Sequence, residues 1–454
     1  MTRLGRIVFV VLCVFGRASM ADAAWTRLET TNFVLIGDAP ERDIRAAADH
    51  LEAFHETLAS VLPDSVGHPG RTVVVVFGSD RSFDPYRPQF QGRPIEVAGF
   101  FQSFGDRSYM ALGPGEGDRL YRVVYHEYAH YITRSSVGAV PVWASEGLAG
   151  LYETFEMADS RTVKIGVPSA DYLRLLRTSP PMPLRELFSV DHSSPVYNEG
   201  SRRGIFYAQS WALIHYLTFN DARQGQLRRY LSADSKGLPA DVAFSNAFGD
   251  VTALEAELRA YIRNLSFRVL QVKFGDRIAA SRGQARPLDD AEADGYLGEL
   301  LSPERAAEAR ALFERALASR VDAVMPAIGL ARLSLREGNF GEAIGLVEPI
   351  AAQAPDNFDA QMTLARALLM QVEQQGASPA AFDRLRTILS RAVSLEPDAP
   401  EPAGMFGYVE LRARGDVSKA VSLLERAVTL APAREEYQRL LAQARLLARA
   451  STPR

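Results

Sequence analysis

Residues 123–136 read VVYHEYAHYITRSS. The stretch holds two of the chain's seven histidines, His126 and His130, with Glu127 between them. Val124, Tyr128 and Tyr131 supply the apolar spacing of a helix. Positions i and i+4 of a helix share one face, so both imidazoles project together and Glu127 lies one step round. Two imidazoles and an adjacent carboxylate in this order suit a divalent metal. The histidines hold it, and the glutamate takes the proton of a water bound to it.

A hydrolytic zinc site needs three protein ligands and one open position. The zincin pattern with a third histidine six residues after the second is absent, because Thr133 and Ser136 occupy its Gly and His positions. Glu146, in PVWASEGLAGLYE (Pro141 to Glu153), is the expected third ligand. Gly147, Ala149 and Gly150 give that helix a thin face able to press against the HEYAH helix, and Trp143 and Leu148 anchor it. Ser145 offers local hydrogen bonding. The competing reading is a carboxylate placed near a helix start by the dipole alone.

HEYAHYI followed by PVWASEGLAGLYE resembles the peptidase MA-like gluzincin families, in which a short loop joins HExxH to a W-x-x-E-G-x-A helix. The resemblance covers about residues 25–265. It implies an α+β zincin-like metallopeptidase domain, with Zn2+ held by His126, His130 and Glu146 and with Glu127 as general base. The sequence departs from thermolysin-like enzymes in its shorter His130-to-Glu146 loop. It also has Gly150 where those enzymes carry a supporting Asp, so support for the ligands has to come from elsewhere.

Hydrolysis also needs a donor to the oxyanion. GIFYAQSWALIHYL (Gly204 to Leu217) contains a segment similar to the YAQS of those families, and Tyr207 is the expected donor. His192 and Tyr197 are the other candidates. Packing against Phe206 and Trp211 is the competing reading for Tyr207. His215, mid-helix among apolar residues, reads as a core histidine. An extended peptide substrate is expected to pair with Ser108–Gly113 as an edge strand, unless that strand is internal.

Working outward, NFVLIG and RTVVVVFG are β-branched runs ending at Gly and read as strands. ERDIRAAADHLEAFHETLASVL between them has helical spacing. VAGFFQSFGDRSYMALGPG reads as a hairpin turning at Gly105-Asp106. Residues 266–288 read as a connector. Beyond it, Ala-rich helices are punctuated by Pro355, Pro397 and Pro432, at spacings of 42 and 35. The second spacing is close to the tetratricopeptide period of about 34 residues. GNFGEAIGLVEPI and GDVSKAVSLLERAV match as turn-to-helix segments, with Ala343 and Ala420 at one small position. Residues 289–449 resemble tetratricopeptide repeats, an all-α tetratricopeptide-like solenoid whose pairs stack because none buries its apolar face alone.

The N-terminus reads as a secretory signal over residues 1–23, with Arg3 and Arg6 before the apolar run Ile7–Phe15 and ADA at the cleavage site. The domains expected are therefore 24–265 (metallopeptidase), 266–288 (connector) and 289–454 (repeats). Cys13 is the only cysteine, which excludes a disulfide framework or a Cys-ligated zinc in the mature chain. Three of the 51 basic and one of the 55 acidic residues lie in 1–23, leaving 48 and 54, a net charge of −6. Nothing in that balance suggests nucleic acid. The expected protein is a periplasmic or secreted zinc metallopeptidase acting on a peptide or protein substrate, with a protein partner on its repeats and no stable membrane span after signal cleavage. The rivals are a tetratricopeptide scaffold or adaptor with a structural or weakly active zinc domain, and a zinc amidase acting on a non-protein substrate.

Overall fold

A computed structural model describes residues 24–451 apart from 62–71, 105–106, 116–117, 138–139, 199–201, 232–237, 239, 265, 275–282, 303, 377 and 433. The signal reading lies outside the described residues. Among those described, no helix is long and apolar enough to cross a membrane.

The N-terminal region mixes strands and helices. β1 (Thr26–Glu29), β2 (Phe33–Gly37), α1 (Glu41–Val61) and β3 (Thr72–Val76) come first. β4 (Gly99–Phe104) and β5 (Arg107–Leu112) pair as the expected antiparallel hairpin. The HEYAH stretch forms α2 (Asp118–Val137), and the WASEG stretch forms α3 (Val142–Tyr152). Short strands β6 (Glu156–Met157) and β7 (Thr162–Ile165) precede α4 (Ala170–Thr178), α5 (Arg203–Phe219) and α6 (Val251–Asn264). Two late strands follow, β8 (Leu270–Lys273) and β9 (Arg286–Pro287).

The main sheet has the order β9-β1-β2-β3-β5-β4. β2, β3 and β5 are parallel neighbours, and β1 and β4 run antiparallel to them. FVLIG and TVVVV are continuous apolar runs because both faces of the sheet are covered. Alternate side chains go to opposite layers. Leu35, Val74, Met110 and Leu112 join the core with α1 and α2, whereas Ile36, Val75, Tyr109 and Ala111 face the helices beyond residue 289.

Those helices come in pairs. α7 (Asp290–Leu301) pairs with α8 (Ala306–Ser319), and α9 (Val324–Arg336) with α10 (Phe340–Gln353). α11 (Phe358–Gln375) pairs with α12 (Pro379–Leu395), and α13 (Pro400–Arg412) with α14 (Val417–Leu430), before the closing α15 (Glu435–Ser451). Pro355 and Pro397 each follow the second helix of a pair by two residues, where a residue lacking an N–H cannot extend it. Ala343 and Ala420 are fully buried. The wider 42-residue spacing arises because α11 and α12 are 18 and 17 residues long, against 13 and 14 in the next pair.

Three features differ from the sequence reading. Ser108–Gly113 is not an edge strand: β5 lies between β3 and β4, and β4 forms that edge of the sheet, with β9 at the other. The hairpin folds its earlier arm to the outside, a choice the alternation of the two arms does not encode. The thin face of α3 does not press on the HEYAH helix. A Cβ on Gly147 would stand 2.5 Å from the Ser210 carbonyl oxygen of α5, and one on Gly150 would touch Tyr172 and Trp211. The stretch 266–288 carries two strands of the sheets: β8 pairs with β7, and β9 pairs with β1.

Candidate metal centre

α2 carries His126 and His130 one turn apart, and α3 lies beside it with Glu146 at its centre. Trp143 fixes α3 from below, fully buried with its ring centroid 5.1 Å from Phe188 and 5.7 Å from Tyr230. The result is a three-atom cage. The two Nε2 atoms are 3.2 Å apart, and Glu146 Oε2 is 3.3 Å from each. Tetrahedral ligands about 2.0–2.1 Å from a zinc ion stand roughly 3.3 Å from one another, so the triangle already has the size such an ion requires.

The tautomers fit as well. His126 Nδ1 is 3.0 Å from Glu153 Oε2, and His130 Nδ1 is 2.8 Å from Ser145 Oγ. With Nδ1–H donating in each, both Nε2 atoms are turned to the cage. Glu146 Oε1 accepts from the Tyr197 hydroxyl at 2.9 Å, while Oε2 is buried with no hydrogen bond of good geometry. Three converging ligand atoms at these spacings suit a divalent cation, which would displace the proton that the carboxylates otherwise hold on His126. Burial drives the His126 imidazole down in pKa, but the Glu146 and Glu153 carboxylates outweigh it and hold it up at about 10. Burial likewise opposes ionisation of Glu146, yet the two imidazoles pull its carboxyl down to about 2.

The support that was missing from the sequence reading is Glu153. It caps α3 at its C-terminal end, seven residues after Glu146, so about two turns put both carboxylates on one face. Its Oε1 accepts from Arg122 at 2.9 Å, and Arg122 also donates to Ser169 at 3.1 Å. Glu153 was in view within PVWASEGLAGLYE, and its i, i+7 relation to Glu146 was the usable signal.

Glu127 is half-buried next to His126 on α2, and among the described residues its carboxylate has no side-chain partner. Tyr197 is the phenol that meets the cage, and Tyr207 stacks behind it, ring centroids 6.2 Å apart and 18° from parallel. Burial and then Glu146 raise the Tyr207 pKa. His192 is exposed and lies edge-on to Tyr197 at 5.2 Å. His215 is a satisfied core histidine, with Nε2 3.1 Å from the Gly166 carbonyl and Nδ1 2.8 Å from the Tyr261 hydroxyl.

Two family matches bear on these regions. Residues 300–369 match the tetratricopeptide repeat family. Residues 122–241, which hold both ligand helices and the two tyrosines, match a family described as "Protein of unknown function (DUF1570)". No curated protein matches the chain. Among solved structures, the chain is similar to a thermophilic tetratricopeptide protein of Thermus thermophilus, at 23% identity over 35% of this chain and 82% of that one (TM-score 0.30). It is similar to MamA of Desulfovibrio magneticus at 14% identity over 37% and 99% (TM-score 0.28). Yeast Tom70 is similar at 17% identity over 62% of each chain (TM-score 0.26). The repeat match and the paired helices make the C-terminal region all-helical and tetratricopeptide-like, and such repeats support a role as a scaffold for a protein partner.

Proposed function

We propose that the chain is an exported zinc-dependent metallopeptidase of the gluzincin type whose repeats engage a protein partner. The observation that carries this reading is the cage: His126, His130 and Glu146 offer three ligand atoms at 3.2–3.3 Å spacing, with the buried Glu146 Oε2 turned to both imidazoles. Bound zinc would supply Lewis-acid polarisation of a substrate carbonyl and lower the pKa of a water. Glu127, half-buried and without a side-chain partner among the described residues, takes the proton from the attacking water and passes it to the leaving amine. Tyr197 spends its one O–H on Glu146 Oε1, and Tyr207, stacked on it, is the phenol that donates toward the developing oxyanion. Glu153 and Ser145 hold the two imidazoles in the ligating tautomer. The open edge of β4 offers backbone groups to an extended peptide.

The test is incubation of purified protein with unfolded casein, with and without a chelator. Chelator-sensitive cleavage is expected. Glu127→Gln should lower the rate by about 10²–10⁴-fold with zinc still bound, and full activity in that variant would sink the mechanism. Glu146→Ala should lose the metal, as read by elemental analysis.

A second reading has direct support in the repeat match at residues 300–369. The chain is then a scaffold or adaptor, and the cage holds a structural zinc or serves a weakly active one. One zinc per chain with no cleavage of casein or of a peptide library would favour it. Release of a non-peptide amide would favour a zinc amidase instead.

A further inference from the structure

Two of the arginines near the cage are spent on carboxylates. Arg122 bonds Glu153 at 2.9 Å, and Arg202 forks onto Glu186 at 2.7 and 3.1 Å. Arg203 differs. It is exposed, begins the 17-residue helix α5, and lies over the Tyr207 ring with Cζ 5.7 Å from the centroid. Among the described residues it faces no carboxylate within ion-pair distance. Tyr207 stacks on Tyr197, and the Tyr197 hydroxyl bonds Glu146. A file of groups therefore runs from the solvent-side guanidinium through two phenols to the metal-ligand carboxylate.

We propose that Arg203 recognises a substrate carboxylate, so that the site selects peptides carrying an anionic group close to the bond held at the cage. This rests on the peptidase reading above. Guanidinium suits the task because its planar fork binds carboxylate bidentately. The positive end of the α5 dipole adds to its field. The Tyr207 ring beneath the guanidinium, 5.7 Å away, restrains it and so lowers the entropy lost on binding. An extended peptide advances about 3.5 Å per residue, so an anionic group a few residues from the cage can lie alongside this file. The anion can be a free C-terminus or an Asp or Glu side chain, and the chemistry that reads it is the same.

The test uses the zinc-loaded Glu127→Gln protein, which binds without turnover. Three fluorescent peptides of one sequence are compared by anisotropy: a free C-terminal acid, its carboxamide, and the carboxamide with an acidic residue near the terminus. At least one carboxylate peptide should bind about tenfold more tightly than the plain carboxamide, the worth of a charge-assisted bond. Which one does so identifies the source of the anion. Arg203→Met on the same background should erase the difference, and Arg203→Lys should restore part of it. Equal binding of all three peptides, no binding of any, or a preference that survives Arg203→Met each overturns the proposal. Failure of the peptidase reading looks different: wild-type protein cleaves nothing, while the Arg203-dependent preference in binding persists.

Discussion

Glu153 stands outside the His126–His130–Glu146 group, with its carboxylate 3.0 Å from His126 Nδ1, placed to fix the tautomer in which Nε2 faces the cage. Glu153→Ala should weaken zinc binding by about 10–100-fold, measured by competition with a chromophoric chelator. Glu153→Gln should lie between, because its amide oxygen still accepts from Nδ1–H. Unchanged affinity in both variants would remove Glu153 from the site. His215 illustrates the opposite use of an imidazole. Burial holds its pKa down at about 4, below the value of about 6.5 in an unfolded chain. As pH falls, the unfolded state takes up the proton first. Stability present above pH 6.5 is therefore lost progressively toward pH 4, by about 3 kcal/mol. Denaturant unfolding at pH 7 and pH 5 should show this slope in the wild type and a flatter one in His215→Gln.

At the scale of elements, the site depends on how closely α3 approaches α5. Gly147 permits the contact, since any side chain there meets the Ser210 carbonyl and Ile214. Gly147→Ala should cost about 1–3 kcal/mol as an overpacked crossing and should also weaken zinc binding, because Glu146 is the preceding residue. Urea titration reads the first effect and chelator competition the second; wild-type values in both would show that the helices slide apart without loss. The helices, the hairpin and the glycines were legible in the sequence through period and composition. The partner of the glycine face was not, because small residues announce a close approach without naming what approaches. The edge strand was misread for a similar reason: β4 and β5 alternate alike, and their order in the sheet is set by what packs beside them.

Across the whole molecule, the repeats are the second layer of the sheet. Leu297, Leu300, Leu312, Phe313, Leu330 and Leu333 cover Ile36, Val75, Tyr109 and Ala111. Gln102 of β4 donates to the Leu300 carbonyl at 2.5 Å. Arg107 of β5 lies 3.6 Å from Glu299 and pairs with Asp359, while Arg332 bonds both carboxylates at 2.9 and 3.2 Å. Burial opposes the charge on Asp359, but Arg107 and Arg332 hold its pKa far below the usual range. Arg107→Ala should destabilise the protein by about 1–2 kcal/mol, because it leaves half-exposed Asp359 and buried Glu299 to share Arg332; thermal and denaturant unfolding measure it. A chain ending at residue 288 uncovers one apolar face of the sheet, at about 1.5–3 kcal/mol per large side chain. It should be recovered as aggregate or bind a hydrophobic dye, and a monomeric, cooperatively folding fragment would contradict the layered packing.

The sequence by itself determined the elements and singled out His126, His130 and Glu146, which the fold brings together. A helix shows its period locally, and HEYAH with WASEG names donor atoms whose spacing along the chain follows from that period. The tandem prolines and matched turns announced the repeats in the same local way. Only the tertiary structure decided that Glu153 supports His126, that Tyr197 stands nearer the cage than Tyr207, that β4 is an edge strand, and that the repeat helices cover the sheet. Each of these is a meeting between segments set apart in the chain or facing each other only once folded. The energy that selects it comes from burial and charge pairing between them, and neither leaves a periodic mark on either partner.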